Sequence, residues 1–245
     1  ELHLAFGDYE QALKTLAGMN IETSYGNTVL GFTYLTKKET DSAIAEFTKA
    51  IESDQSLALP RLGLALAKIN EDKLEEGREE LEYAAQLEPN VSLYRSYLGK
   101  AYYEENDASK ANKELARAME LDPLDPTPYL YRSFVNLTAH KPVSALRDVQ
   151  SSIDRNDNRA VYRSKLMLDS DAGTRTSSLG QIYNRVGFTE LARLEAIKSL
   201  NKDYSNYSAH FLLADVYSQI HLNSRAQATE NLLGRLLSPV TFNAN

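Results

Sequence analysis

Four histidines, His3, His140, His210 and His221, are the first candidates for chemistry. None stands four residues from another, or beside a glutamate in a zinc-type motif. His210 and His221 lie eleven apart, about three helical turns, but a loop is expected near His221. All four read as structural or solvated. Asp169-Ser170-Asp171 looks like a fragment of a calcium loop, yet the glycine and distal glutamate that complete such a loop are missing. A turn or helix-capping role fits it better. Glu75-Glu76 and Glu79-Glu80 fall on an exposed helix face, where a solvated charge stripe explains them. No Gly-x-x-x-x-Gly-Lys phosphate loop and no Gly-x-Ser-x-Gly elbow occurs. The chain has no cysteine, which removes thiol nucleophiles, disulfides and zinc thiolates. The expectation is a protein that is not an enzyme, with no catalytic residue, no metal and no cofactor.

The elements that would position a binding site are more legible. The chain has 245 residues, 42% of them apolar, with only seven prolines and eleven glycines. Apolar residues recur at helical spacing almost throughout, so the fold is expected to be all-α. No run of eighteen apolar residues is present, so no transmembrane helix is expected. Charge divides unevenly. Residues 1–125 carry 24 Asp and Glu against 13 Lys and Arg, a net −11, whereas residues 126–245 carry 10 against 14, a net +4. Neither half has the clustered cations that phosphates need, which disfavours nucleic acid.

A period of 34 residues dominates the chain. Leu30-Gly31-x-x-Tyr34 returns as Leu98-Gly99-x-x-Tyr102 and Leu179-Gly180-x-x-Tyr183, with weaker copies at Leu64-Ala65 and Leu213-Ala214-x-x-Tyr217. Small residues follow twelve positions later at Ala43, Gly77, Ala111, Ala145, Ala192 and Ala226. A third set stands at Ala50, Ala84, Ala118, Ser152 and Ser199, and Pro89 and Pro123 act as terminators. Small residues let two helices approach, large ones fill the space around the contact, and proline stops the second helix. By this motif and period the chain is identified as a tetratricopeptide-repeat (TPR) protein. The resemblance implies a right-handed superhelical solenoid of antiparallel helix pairs, in which stacked neighbours bury a continuous core.

Phasing on these landmarks places a leading half-repeat within 1–20 and repeats 1 to 4 at about 24–57, 58–91, 92–125 and 126–158, so that 1–158 forms one stretch. Thirteen extra residues, 159–171, interrupt the period. Repeats 5 and 6 occupy 173–239, and 240–245 is a tail, all within one continuous solenoid. The insert carries Val161, Tyr162, Leu166, Met167 and Leu168, and is expected to pack against the solenoid as a short helix or strap.

In a TPR stack, positions 2, 5, 9 and 12 of each first helix line the concave face. On this phasing repeats 1 to 4 present an apolar groove, taken as the partner-binding site: Tyr25, Phe32, Leu35, Leu62, Leu66, Tyr103, Leu130, Phe134 and Leu137. Repeats 5 and 6 present polar residues at the same positions, including Gln181, Asn184, Ser208 and Asp215. Arg61 and Lys68 fall on positions that the repeat reserves for core, which leaves open a one-residue phase error in repeat 2. The two-carboxylate clamp of TPR co-chaperones is not matched: its positions hold Thr28, Phe32, Gly63, Leu93 and Tyr97 in one register and Leu62, Leu66, Tyr97, Thr127 and Tyr131 in the next.

Three stretches, Arg95–Tyr103 with Leu121–Pro128, Asn156–Ser164 and Ser205–Asp215, resemble the TPR regions of large exported Gram-negative bacterial proteins that continue into an outer-membrane β-barrel-like segment. The resemblance covers roughly residues 92–240. It implies a periplasmic or outer-membrane-associated setting, with the cytoplasm as the alternative. The expected function is a non-catalytic scaffold that binds a protein or peptide, an apolar helix or extended segment, as a monomer or weak dimer. The alternatives are an accessory domain for carbohydrate or exopolysaccharide export, or a regulatory domain of a larger enzyme.

Overall fold

A computed structural model of the chain describes residues 10–11, 14–15, 23–155, 171–220 and 224–238. Among them lie twelve α-helices and no strand: α1 Ser24–Thr36, α2 Thr40–Ser53, α3 Ala58–Asn70, α4 Leu74–Leu87, α5 Ser92–Glu104, α6 Ala108–Leu121, α7 Thr127–Thr138, α8 Pro142–Asp154, α9 Asp171–Arg185, α10 Thr189–Lys202, α11 Tyr207–Ile220 and α12 Ser224–Leu237. They pack as six pairs, each second helix also contacting the first helix of the next pair. This is the all-α TPR solenoid. Residues 10–11 and 14–15 are helical. The rest of the half-repeat, the insert up to residue 170 and the tail at 240–245 lie outside the described residues.

The turn inside five of these pairs is closed the same way. Lys38, Asp72, Asn106, His140 and Gly187 all adopt positive φ, between 57° and 86°. The first four follow one another at 34 residues and the fifth after 47. In the first turn Lys38 N–H donates to the Leu35 carbonyl and Glu39 N–H to the Tyr34 carbonyl, and the other four repeat that pattern. This satisfies the last carbonyls of each first helix and starts the second within two residues. His140 therefore serves a backbone turn.

Small residues set the helix separation. Ala43, Ala111, Ala145 and Ala192 are fully buried. A Cβ on Gly99 would stand 2.7 Å from Leu115 Cγ, and one on Gly180 would stand 2.6 Å from Leu212 Cδ2. One apolar core runs from Val29 to Ile182, and Tyr183 packs against both it and the smaller cluster around Ala192, Leu212 and Val216. Although residues 155–170 separate α8 from α9, the two helices pack directly on each other, as second and first helices do at the other joints. The extra residues therefore interrupt the sequence period without interrupting the stack.

An acidic residue recurs on the second helix at Glu46, Glu80, Glu114 and Asp148, again 34 apart. Arg61 Nη1 donates to Glu80 Oε2 at 3.0 Å, and Lys68 Nζ reaches Glu80 Oε1 at 3.3 Å. Arg95 Nη1 donates to Glu114 Oε2 at 2.8 Å. Arg132 grips Asp148 with two bonds of 2.9 and 2.5 Å, and Asn136 Nδ2 adds a third at 2.7 Å. These contacts explain Arg61 and Lys68. They stand on positions the repeat gives to core residues, but each reaches a carboxylate at the edge of the helix pair, and the Arg61 guanidinium also lies 5.1 Å over the Tyr83 ring. A phase error in repeat 2 is not needed.

Candidate functional site

The first helices α1, α3, α5, α7, α9 and α11 form the inner layer, with α1 beside α3, α5 beside α7 and α9 beside α11. The expected apolar groove on this layer is not what the structure exposes. Phe32, Leu35, Leu62, Leu66, Leu130 and Leu137 are all buried in the continuous core, Leu62 completely. These six side chains turn into the core, where Phe32 packs edge to face against Phe47 of α2 at 5.0 Å. Three of the nine residues keep accessible surface. Tyr25 is 54% exposed, and Tyr103 and Phe134 are half-buried.

Tyr103 and Phe134 meet across α5 and α7, with ring centroids 6.5 Å apart. Thr138 Oγ1 donates to the Phe134 carbonyl at 3.1 Å, which leaves the Tyr103 hydroxyl as donor in its 3.0 Å contact with Thr138 Oγ1. Both rings are thus held in place while their outer edges remain accessible. Nearby, Lys100 Nζ lies 5.3 Å over the Tyr131 ring.

Further along the same layer, α9 and α11 flank an open cavity of about 570 Å³, within the usual volume range of ligand sites. Gln181, Asn184 and Arg185 form one wall, and Tyr207, Ser208, Phe211, Leu212 and Asp215 the other. Four of these, Gln181, Asn184, Ser208 and Asp215, are the polar residues expected at positions 2, 9 and 12, and Phe211 holds position 5 of repeat 6. Sequence reasoning placed them on the inner face but did not include them in the binding site. Arg185 and Tyr207 were missed. The available signal was the change of residue type at constant repeat position, because a position that no longer carries a core residue is free to carry a contact residue. Asn184 Oδ1 is buried and meets no donor among the described residues. An unpaired buried acceptor is costly unless something fills the role of donor.

His210 is buried at the next contact down, away from this cavity's lining. Its Nε2 lies 2.9 Å from the Tyr204 carbonyl and its Nδ1 2.5 Å from Glu230 Oε2. The carbonyl only accepts, so Nε2 donates, and the ring ties α11 to α12. His3 and His221 lie outside the described residues. Among the described residues no cluster of three His, Asp or Glu side chains is arranged to hold a metal ion, and no helix is long and apolar enough to cross a membrane.

Between repeats 2 and 3 the inner-outer joint is polar. The Tyr102 hydroxyl donates to Glu82 Oε1 at 2.7 Å, and Arg78 bonds both Glu82 and Glu105. Burial, reinforced by the Glu82 carboxylate, pushes the Tyr102 phenol up to about 12.

The tetratricopeptide-repeat family model matches residues 26–57. No curated protein matches the chain. Among solved structures, one from the APC/C hetero-tetramer Cut9-Hcn1 superposes with a TM-score of 0.81 at 16% identity, covering 97% of this chain and 45% of that one. A tetratricopeptide repeat protein from Parabacteroides merdae gives 0.73 at 12% identity, over 98% of this chain and 91% of that one. PilF of Pseudomonas aeruginosa gives 0.64 at 20% identity, over 90% and 96%. The chain spans less than half the length of the first of these. At such identities the likeness is one of fold.

Proposed function

We propose that this tetratricopeptide-repeat protein is a non-catalytic scaffold that binds a protein or peptide partner along its inner layer, from the Tyr103–Phe134 pair to the α9–α11 cavity. The carrying observation is the placement of side chains. The core uses up most large apolar residues of the first helices, yet Tyr103, Phe134, Gln181, Asn184 and Asp215 stand at inner-layer positions and retain accessible surface. Half-exposed aromatics with fixed rings, followed by a polar cavity, suit a partner that lays an extended segment across several helices.

A co-precipitation from cells of the source organism tests this. Tyr103→Asp and Phe134→Asp are expected to melt lower than wild type but to keep its helical content at the assay temperature, and to reduce recovery of the partner, whereas Gln150→Asp on the outer layer is expected to leave recovery unchanged. Equal recovery by all four proteins would sink the reading.

The proposed setting is the periplasm or outer membrane. It rests on the resemblance of residues 92–240 to exported bacterial TPR regions. Fractionation of cells producing the natural full-length protein tests it, and recovery in the cytoplasmic fraction alone would overturn it.

A further inference from the structure

We infer that the α9–α11 cavity takes a short extended peptide segment carrying an aromatic side chain, a basic one and an acidic one on the same edge. The inference rests on the scaffold reading and names the chemistry of one of its subsites.

The cavity has a direction. Tyr207 and Phe211 stand on the first turns of α11, their rings edge to face at 6.4 Å, with buried Leu212 beside them. This end offers an apolar seat. Gln181 and Asp215 hold the same repeat position on α9 and α11, 34 residues apart. Arg185 lies one turn beyond Gln181. The far end therefore carries one cation and one anion on opposite walls. The ion pairs of this region join Arg193 to Glu190, Lys198 to Glu195 and His210 to Glu230, and among the described residues neither Arg185 nor Asp215 has an ionic partner. Asn184 precedes Arg185 on the same wall and presents the unpaired Oδ1.

Each feature asks for one group on a ligand. A backbone N–H satisfies Asn184 Oδ1, the one buried acceptor of the cavity that lacks a donor. A basic side chain suits Asp215 and an acidic one suits Arg185. From Phe211 to Asp215 the helix advances about 6 Å, and Arg185 stands about one turn further along on the other wall, about 12 Å in all. Alternate side chains of an extended chain share one edge, and four steps of about 3.3 Å cover about 13 Å. Side chains at the first, third and fifth places of a five-residue strand thus reach the apolar seat and both charges. A free carboxylate alone would leave Asp215 without a partner, and a purely apolar helix would leave both charges and Asn184 unpaired.

The test uses the full chain and an end-capped fluorescent peptide, Thr-Phe-Thr-Lys-Thr-Glu-Thr, followed by anisotropy. Wild type is expected to bind it about tenfold more tightly than a control with glutamine replacing both charged residues. Asp215→Lys is expected to weaken binding about tenfold, and a peptide with glutamate in place of lysine is expected to restore it. Asn184→Leu, with circular dichroism matching wild type, is expected to weaken both peptides. Unchanged affinity in Asp215→Lys and Asn184→Leu would place the peptide elsewhere on the inner layer, overturning this inference and leaving the scaffold reading standing. No binding to wild type would also overturn it. Loss of partner recovery in Phe134→Asp is the separate readout for the scaffold itself.

Discussion

The ring of Phe47 occupies the space that a side chain at Gly63 would need. Phe47 belongs to α2 and Gly63 to α3, so this contact closes the joint between the first two helix pairs. The same ring faces Gly31 on α1, where a Cβ would stand 2.6 Å from Phe47 Cε1. One aromatic side chain thus sets the approach of three helices.

Gly63→Ala should therefore destabilise the protein by about 1–3 kcal/mol through overpacking. Phe47→Leu in that background should recover part of the loss by vacating the space. Thermal denaturation of the two single variants and the double variant checks this. Additive losses would show that Gly63 matters for another reason.

Arg132 and Asn136 spend three hydrogen bonds on the Asp148 carboxylate, whose side chain is only 6% exposed. Asp148→Ala strands both donors, and about 2 kcal/mol of stability should be lost. Asp148→Asn should lose less, since one oxygen still accepts. Urea unfolding followed by circular dichroism reads the difference. Coupling in a repeat array is between neighbours, so hydrogen exchange should rise first in α7, α8 and their immediate contacts.

Gly187 has φ near 86°, and a Cβ there would touch nothing within 4 Å. Substitution at this position isolates backbone strain from packing. Gly187→Ala should cost about 1 kcal/mol. Gly187→Asn should cost less, because Asn106 already fills the equivalent turn at φ 63°. A melting temperature equal to wild type for Gly187→Ala would contradict the strain account.

Tyr102 stays protonated in the fold up to about pH 12, through burial and its bond to Glu82. In the unfolded chain it loses its proton near pH 10. Its contribution is thus full below about pH 10 and falls as pH rises towards 12, because deprotonation then favours the unfolded chain. Tyr102→Phe should be less stable than wild type at pH 8, through loss of the Glu82 bond. Its stability should decline less steeply between pH 10 and 12. Parallel decline of the two proteins in alkaline melts would count against a raised Tyr102.

The repeating helix pair was legible because its signals are local and periodic. Leu30-Gly31-x-x-Tyr34 and its copies carry their meaning in residue size and spacing alone. The left-handed turns were less legible. Lys38, Asp72, Asn106 and His140 share a backbone conformation but not a residue type, and glycine marks only Gly187. The acidic series from Glu46 to Asp148 keeps strict spacing and was equally available. Its basic partners, however, come from position 4 in Arg61 and Arg95 and from a later turn in Arg132, so no single register reveals the pairs.

By itself, the sequence determined the all-α class, the 34-residue unit and the contact points where Gly or Ala must stand, since each depends on neighbours within one helix pair. Tertiary structure alone decided which inner-layer residues are available to a partner. Phe32, Leu62 and Leu130 have the types and positions of groove residues, yet they are buried in the core, while Tyr103 and Phe134 keep an open edge. It also decided that the stack passes directly from α8 to α9 despite the added residues. The physical reason is the same in both cases. Exposure and stacking depend on how closely one pair approaches the next, and that distance is set by side chains from separate repeats meeting in space.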